Sequence, residues 1–274
     1  MSPANPVLRV PDPADSAALG IYLERLLALD KTAAVRIVGI GPVAAVYSAP
    51  PLHGSTSKGS AVAVLAVRTL ALAAGSEPFD RTVAAGRLLD ALAKHERPQG
   101  RDAAVARAGG AAGDFAGDMA ADVAGDMAGD VTGEAGSSGA VAVNGSGGQA
   151  IPVPEPLVGG PSWAGLLPPR TGWRPLDPIP VARLAGVVAQ GNADFRFAAL
   201  GRDRAGLDAL AEEIWTRELP GGLRWRSAHA ASAMGFLGPD PARSEAVARL
   251  AAHSRWLRLD APYGTVLERT AGLE

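Results

Sequence analysis

PDPARSEAVARLAAHSRWLRLDAPYGTVLER, Pro239–Arg269, is the stretch on whose reading the fold turns. Asp240 followed by Pro241 has the form of an N-cap with proline at the first helical position, where a missing N–H costs nothing. The run behind it then predicts a helix to about His253. Two strands follow, Trp256 to Asp260 and Thr265 to Arg269, joined by a Pro262-Tyr263-Gly264 turn. Upstream, SAHAASAMGFLG (227–238) reads as a helix closed by Gly235 and Gly238, and LPGGLRWR (219–226) as a short extended piece. A further helix opens near Asp203, with Leu207, Leu210, Ala211 and Ile214 inward and Trp215 at its end.

Helix, strand, helix, helix, strand, wing, strand is an order that resembles the winged-helix family of DNA-binding domains. AASAMGF (230–236) stands where those domains place the helix and turn ahead of the reading helix. The resemblance implies that Arg243, Ser244, Arg249 and His253 face a major groove and that Arg258 or Arg269 on the wing touches phosphate. Residues 220–270 lean basic, with seven Arg against four acids plus His229 and His253. The competing expectation is that these helices and the terminal hairpin simply close the core, since topology alone does not give function.

The N-terminal half is punctuated as clearly. Asp12-Pro13 caps a helix whose stripe is Leu19, Tyr22, Leu23, Leu26 and Leu27. Three β-like runs come next, Ala34 to Ile40, Val43 to Tyr47 and Ala61 to Leu72, with Gly39 to Pro42 turning between the first two. Thr82 is expected to cap a short helix through Leu88, Leu89 and Leu92. The fold class expected is therefore α+β: an N-terminal helix plus a three-stranded antiparallel meander, then a C-terminal helical segment ending in a winged-helix-like β-hairpin.

Between these halves lie two unlike pieces. GDFAGDMAADVAGDMAGDVTGE (113–134) carries acids at 114, 118, 122, 126, 130 and 134 and no base. On a helix that period would stack like charges and place glycine at every turn, so the tract predicts a solvated low-complexity linker. The chain carries a net charge of −2; without those six acids 22 remain against 26 bases, about +4, too little to argue nucleic-acid binding from charge alone. IPVPEPLVGG (151–160) is expected as an edge strand because its prolines remove ladder donors. GPSWAGLLPPRTGW (160–173) follows, and then a helix from about Pro180 with Val181, Leu184, Val188 and Phe195 inward.

Two of the five tryptophans sit in GPSWAGLLPPRTGW. Trp163, Leu166, Leu167 and Trp173 are expected to pack as a rigid belt between meander and C-terminal helices, each tryptophan burying on the order of 200 Å². Its other readings have the wrong continuation. Gly160-Pro161-Ser162-Trp163-Ala164 falls one residue short of a nucleophile elbow, and Pro168-Pro169 forbid the helix an elbow needs. LLPPR lacks the PxxP spacing of a polyproline ligand.

Other chemistry is excluded piece by piece. With no cysteine there are no disulfides, thiolate metal sites or cysteine nucleophiles. HGSTSKGS (53–60) has phosphate-loop ingredients in the wrong order, and its Ser55-Thr56-Ser57-Lys58 string lies in a Gly/Ser loop rather than at a helix start. Gly39-Ile40-Gly41 lacks the third glycine of a dinucleotide site. His53, His95, His229 and His253 form no metal-binding spacing, so no metal and no cofactor is expected. MSPANPVLRVPDPAD shows no signal peptide and no apolar run is long enough to span a bilayer, which predicts a cytoplasmic soluble protein with no membrane partner.

LRVPD, WAGLLPPRTGW, ALAEEIWTRELPG, AHAASAMGFLG and RWLRLDAPYGTV together are similar to a group of actinobacterial hypothetical proteins with no assigned activity. The resemblance covers about 7–97 and 151–269, with the acidic repeat as a departure, and implies no site residues. The expected organisation is an α+β N-terminal domain (1–98), the repeat linker (99–150), the Trp/Pro belt and packing helix (151–200) and a helical winged-helix-like domain (201–274). No catalytic residue is assigned. The function expected is a non-catalytic interaction or regulatory protein whose partner is another protein or a second copy. DNA binding through the C-terminal segment is the alternative, and a hydrolase with a dispersed site comes after it.

Overall fold

A computed structural model describes residues 5–52, 64–95 and 148–270. HGSTSKGS, the acidic repeat and His53 lie outside the described residues, as does most of the expected linker.

Among the described residues eight strands form one antiparallel sheet, flanked by a two-stranded ribbon and five α-helices, so the fold is α+β. β1 (Val7–Val10) pairs with β6 (Gln149–Pro152) in the ribbon. The large sheet runs β5 (Phe79–Ala84), β2 (Ala34–Ile40), β3 (Val43–Ser48), β4 (Val64–Ala71), β10 (Gly264–Arg269), β9 (Trp256–Ala261), β8 (Val247–His253), β7 (Arg174–Pro180). It is two four-stranded halves joined at β4–β10, where Leu65 faces Leu267 across the seam. Each half holds a meander, β2–β3–β4 or β8–β9–β10, whose first hairpin closes through a two-residue turn.

The helices are α1 (Pro13–Leu29), α2 (Ala85–His95), α3 (Val181–Ala198), α4 (Arg204–Trp215) and α5 (Trp225–Ala233). Asp12 caps α1 through the Ala14 N–H at 2.8 Å, and Asp203 caps α4 through Gly206 at 2.8 Å. α1 and α5 pack on β4 and β10, so their apolar faces meet the inward residues of both halves in one core: Leu19, Tyr22 and Leu23 with Val46 and Ala66, and Ala230 and Ala231 with Val266 and Leu259. Strand alternation sends the intervening residues to the opposite, helix-free face, where Leu65, Val67, Trp256 and Leu267 form a second cluster.

Three elements differ from the sequence reading. The helix expected after Asp240 is a single 3-10 turn, Pro241–Arg243, followed by strand β8. Ala and Arg favour helix in isolation, but Ala248 and Leu250 are buried at alternate positions between β7 and β9, with Leu250 facing Leu259 and Leu176. Burial against two neighbours outweighs propensities of a few tenths of a kcal/mol per residue. Among the described residues there is thus no reading helix, and the two strands expected as a wing are central members of the large sheet. Thr82, expected as a helix cap, lies inside β5, and the helix begins at Ala85. The three-stranded meander gains β5 as a fourth strand through its pairing with β2.

Candidate functional site

The two halves build a pocket together beside the sheet seam. From the first half, α1 contributes Ala18, Ile21, Tyr22 and Arg25, and β4 contributes Arg68; from the second come Met234, Gly235, Phe236 and Gly238 after α5, Pro239, and Tyr263 in the β9–β10 turn. The pocket encloses about 210 Å³.

Each wall has a local cause. Tyr22 is on the buried stripe of α1, and its hydroxyl is turned into the core, 2.6 Å from Ser48 Oγ and donating to the Ala66 carbonyl at 3.0 Å. Burial pushes this phenol well above the ordinary tyrosine range, so it stays protonated. Its ring stacks on Phe236 at 6.0 Å between centroids.

Phe236 is held by its own N–H to the Ala231 carbonyl (2.7 Å), and its carbonyl accepts from Tyr263 N–H (3.1 Å). Both flanking glycines are required. Gly235 (φ +75°) ends α5 in the left-handed region, and a Cβ there would lie 2.6 Å from the Arg25 guanidinium carbon. At Gly238 (φ +95°) a Cβ would meet the Tyr263 ring at 2.9 Å. The AASAMGF motif therefore forms a helix stop and one wall of the pocket.

Behind that wall, Glu268 of β10 fixes the start of α5. Its carboxylate, with the residue fully buried, accepts the Arg224 N–H at 3.1 Å and the Ser227 hydroxyl at 2.7 Å, serving as a cap supplied from across the sheet. Arg226, 2 % exposed, donates to Glu212 at 2.9 Å. Burial raises the Glu268 carboxyl above the usual range despite the opposing pull of Ser227, Arg224 and Arg226.

The floor is Arg68. It is 6 % exposed, donates Nη1–H to the Tyr263 carbonyl at 2.5 Å, and leaves its Nε–H without a partner among the described residues.

Two family models match the chain. They are domains of unknown function, DUF8010 over residues 3–112 and DUF8185 over 168–273, and they fit an uncharacterised family. The first match contains α1 and Arg68 and the second contains the Met234–Gly238 loop and Tyr263, so the pocket lies where the two matched segments meet. No curated protein and no solved structure matches.

Of the residues singled out from sequence for DNA, four share one sheet face and two lie in or beside a turn. Arg243 is exposed in the 3-10 turn, Ser244 follows it, and Arg249, His253, Arg258 and Arg269 lie at helix-free-face positions of β8, β9 and β10. Arg258 is engaged with Asp260 at 2.9 Å and lies 5.8 Å over the Trp173 ring. These six positions belong to three strands and a turn rather than one helix.

Trp163, Leu166, Leu167 and Trp173 are half-buried. Both tryptophans pack on the Leu65, Val67, Trp256 and Leu267 cluster, to which both halves contribute. The segment starts at the β5 edge, where Leu157 N–H donates to the Thr82 carbonyl, receives Arg36 at the Ala164 carbonyl over β2, and enters β7 at Arg174. Seven interstrand gaps put the sheet edges about 34 Å apart, and the 17 residues from Leu157 to Arg174 reach at most about 60 Å. The connection must run more than half extended, which proline supports and a helix would not. Ser162 is exposed in the 3-10 turn Ser162–Gly165, not at a strand-to-helix elbow. Trp173→Ala is expected to cost about 2 kcal/mol in urea unfolding, roughly half the loss for a fully buried tryptophan.

Among the described residues no three His, Asp or Glu gather as a metal site, and no helix is long and apolar enough to cross a membrane. Phe197 and Leu200, 87 % and 85 % exposed, form a small corner at the end of α3, the scale of apolar exposure that ordinary surfaces carry.

Proposed function

We propose that this chain is a non-catalytic regulatory protein that binds a small molecule in the pocket shared by its two halves. The observation that carries this reading is the composition of the pocket: two guanidiniums, aromatic and aliphatic walls, and no Ser, Thr, His, Asp or Glu among the described lining residues. Such walls hold and orient a ligand, and hydrolysis or acid–base turnover would rest on two tyrosines, of which Tyr22 has its hydroxyl turned into the core. A bound molecule touches α1 and β4 of one half and the α5 loop and Tyr263 of the other. It therefore stabilises the way the halves are held, which is how ligand occupancy would be passed to a partner.

The test is a thermal-shift screen of the full chain against a few hundred small metabolite-like compounds. A ligand at 100 times its dissociation constant adds about 2.7 kcal/mol, a shift of several degrees. Ile21→Trp, which fills the pocket from α1, should abolish the shift with little change in the Tm of the unliganded chain. Turnover of a hit compound, or a shift that survives Ile21→Trp, would count against the proposal.

A further inference from the structure

We propose that the pocket is a carboxylate site, in which the Arg68 guanidinium, seconded by Arg25, holds the carboxylate of a small flat acid whose apolar body lies against Ile21, Tyr22 and Phe236. This rests on the binding reading above and names its ligand class.

Arg68 has no ion pair among the described residues, although only 6 % of it is exposed. A buried charge without a counter-ion is costly, and in a site of low dielectric its field is felt strongly by an anion. One donor is used by the Tyr263 carbonyl and Nε–H is left over, and a guanidinium edge of this kind matches a carboxylate in geometry. Half-buried Asp15 attracts Arg68 through space, but burial makes ionisation of that carboxyl harder as well. The same burial draws the Arg68 guanidinium below its ordinary range, the direction of a charge short of compensation.

Arg25 brings a second positive charge to the rim, its guanidinium lying over Gly235 in space that any side chain there would take. The remaining walls are apolar and aromatic, which favours a monoanion with a flat body over a small polyanion. Size agrees: a cavity of about 150 Å³ admits benzene, so about 210 Å³ admits a ring carrying a carboxylate.

The full chain is titrated by calorimetry with phenylacetate and with its neutral isostere 2-phenylacetamide, alongside Arg68→Met, Arg25→Met and Ile21→Trp. Phenylacetate is expected to bind at least about tenfold tighter than the amide, and Arg68→Met to remove about that factor for the acid while leaving the amide unchanged. Arg68→Met should keep or raise the Tm, because methionine replaces an unpaired buried charge. Should that variant fail to fold, Arg25→Met, at an exposed side chain, still tests the charge and should weaken the acid about threefold. Equal affinity for acid and amide, with both lost in Ile21→Trp, overturns the carboxylate assignment and leaves the binding reading standing. Absence of binding by either compound at millimolar concentration also overturns the assignment. The binding reading falls with it only if the wider compound screen leaves the Tm unmoved.

Discussion

Glu268→Leu is expected to destabilise the protein by about 3–5 kcal/mol, because it strips the partner from a buried polar network while leaving the rest in place. Arg224 N–H and the Ser227 hydroxyl lose their acceptor, and fully buried Arg226 loses a nearby negative charge. For a domain of this size that is a fall in Tm of roughly 6–20 °C. Glu268→Gln separates the two roles of the side chain. A glutamine oxygen still accepts from Arg224 and Ser227, so its stability at pH 7 should stay within about 1 kcal/mol of wild type.

The pH dependence has a definite sign. Burial raises the folded-state pKa of Glu268 above its ordinary 4.5, so its contribution is fully present below that value and is lost as pH rises through the raised one. Glutamine does not titrate. The stability difference between Glu268→Gln and wild type should therefore move in favour of the variant as pH is raised from 4.5 into the neutral range. A constant difference across that window, measured by urea unfolding, would contradict the assignment.

Phe236→Ala is expected to cost about 3–5 kcal/mol as well, through lost transfer energy and the cavity left behind. Phe236 is 2 % exposed, stacks on Tyr22 and packs tightly against Gly264, so it joins α1, the α5 loop and the end of the sheet at one point. Phe236→Leu should recover more than half of the loss. Near-wild-type stability of Phe236→Ala would mean that the two halves do not depend on this contact. Ligand binding should weaken in both variants, because the ring is a wall of the pocket.

Much of the local structure was legible from residues. β2 spans Ala34–Ile40 as its apolar run and Gly-Pro turn predicted, and Asp12 and Asp203 cap α1 and α4. The site was legible only in fragments. Gly235 and Gly238 announce a helix stop in any context, yet that the loop between them faces Arg68 depends on a contact between Arg68 and Tyr263, 195 positions apart. Arg68 itself sits in a run of apolar residues, and nothing local distinguishes it from an arginine that reaches solvent.

The sequence by itself determined where α1 and α4 start, that Gly235 stops α5, the span of β2, and that Pro and Trp between 160 and 173 form an irregular connection. These properties depend on neighbours within a few positions, through caps, turn dihedrals and side-chain period. Only the tertiary structure decided that Val247–His253 is a strand, that the two halves share one eight-stranded sheet, and that the belt crosses its helix-free face from edge to edge. The physical reason is the same in each case. An Ala-rich segment, an open sheet edge and a half-extended tether have several local solutions of nearly equal energy, and burial against partners distant in the chain selects among them.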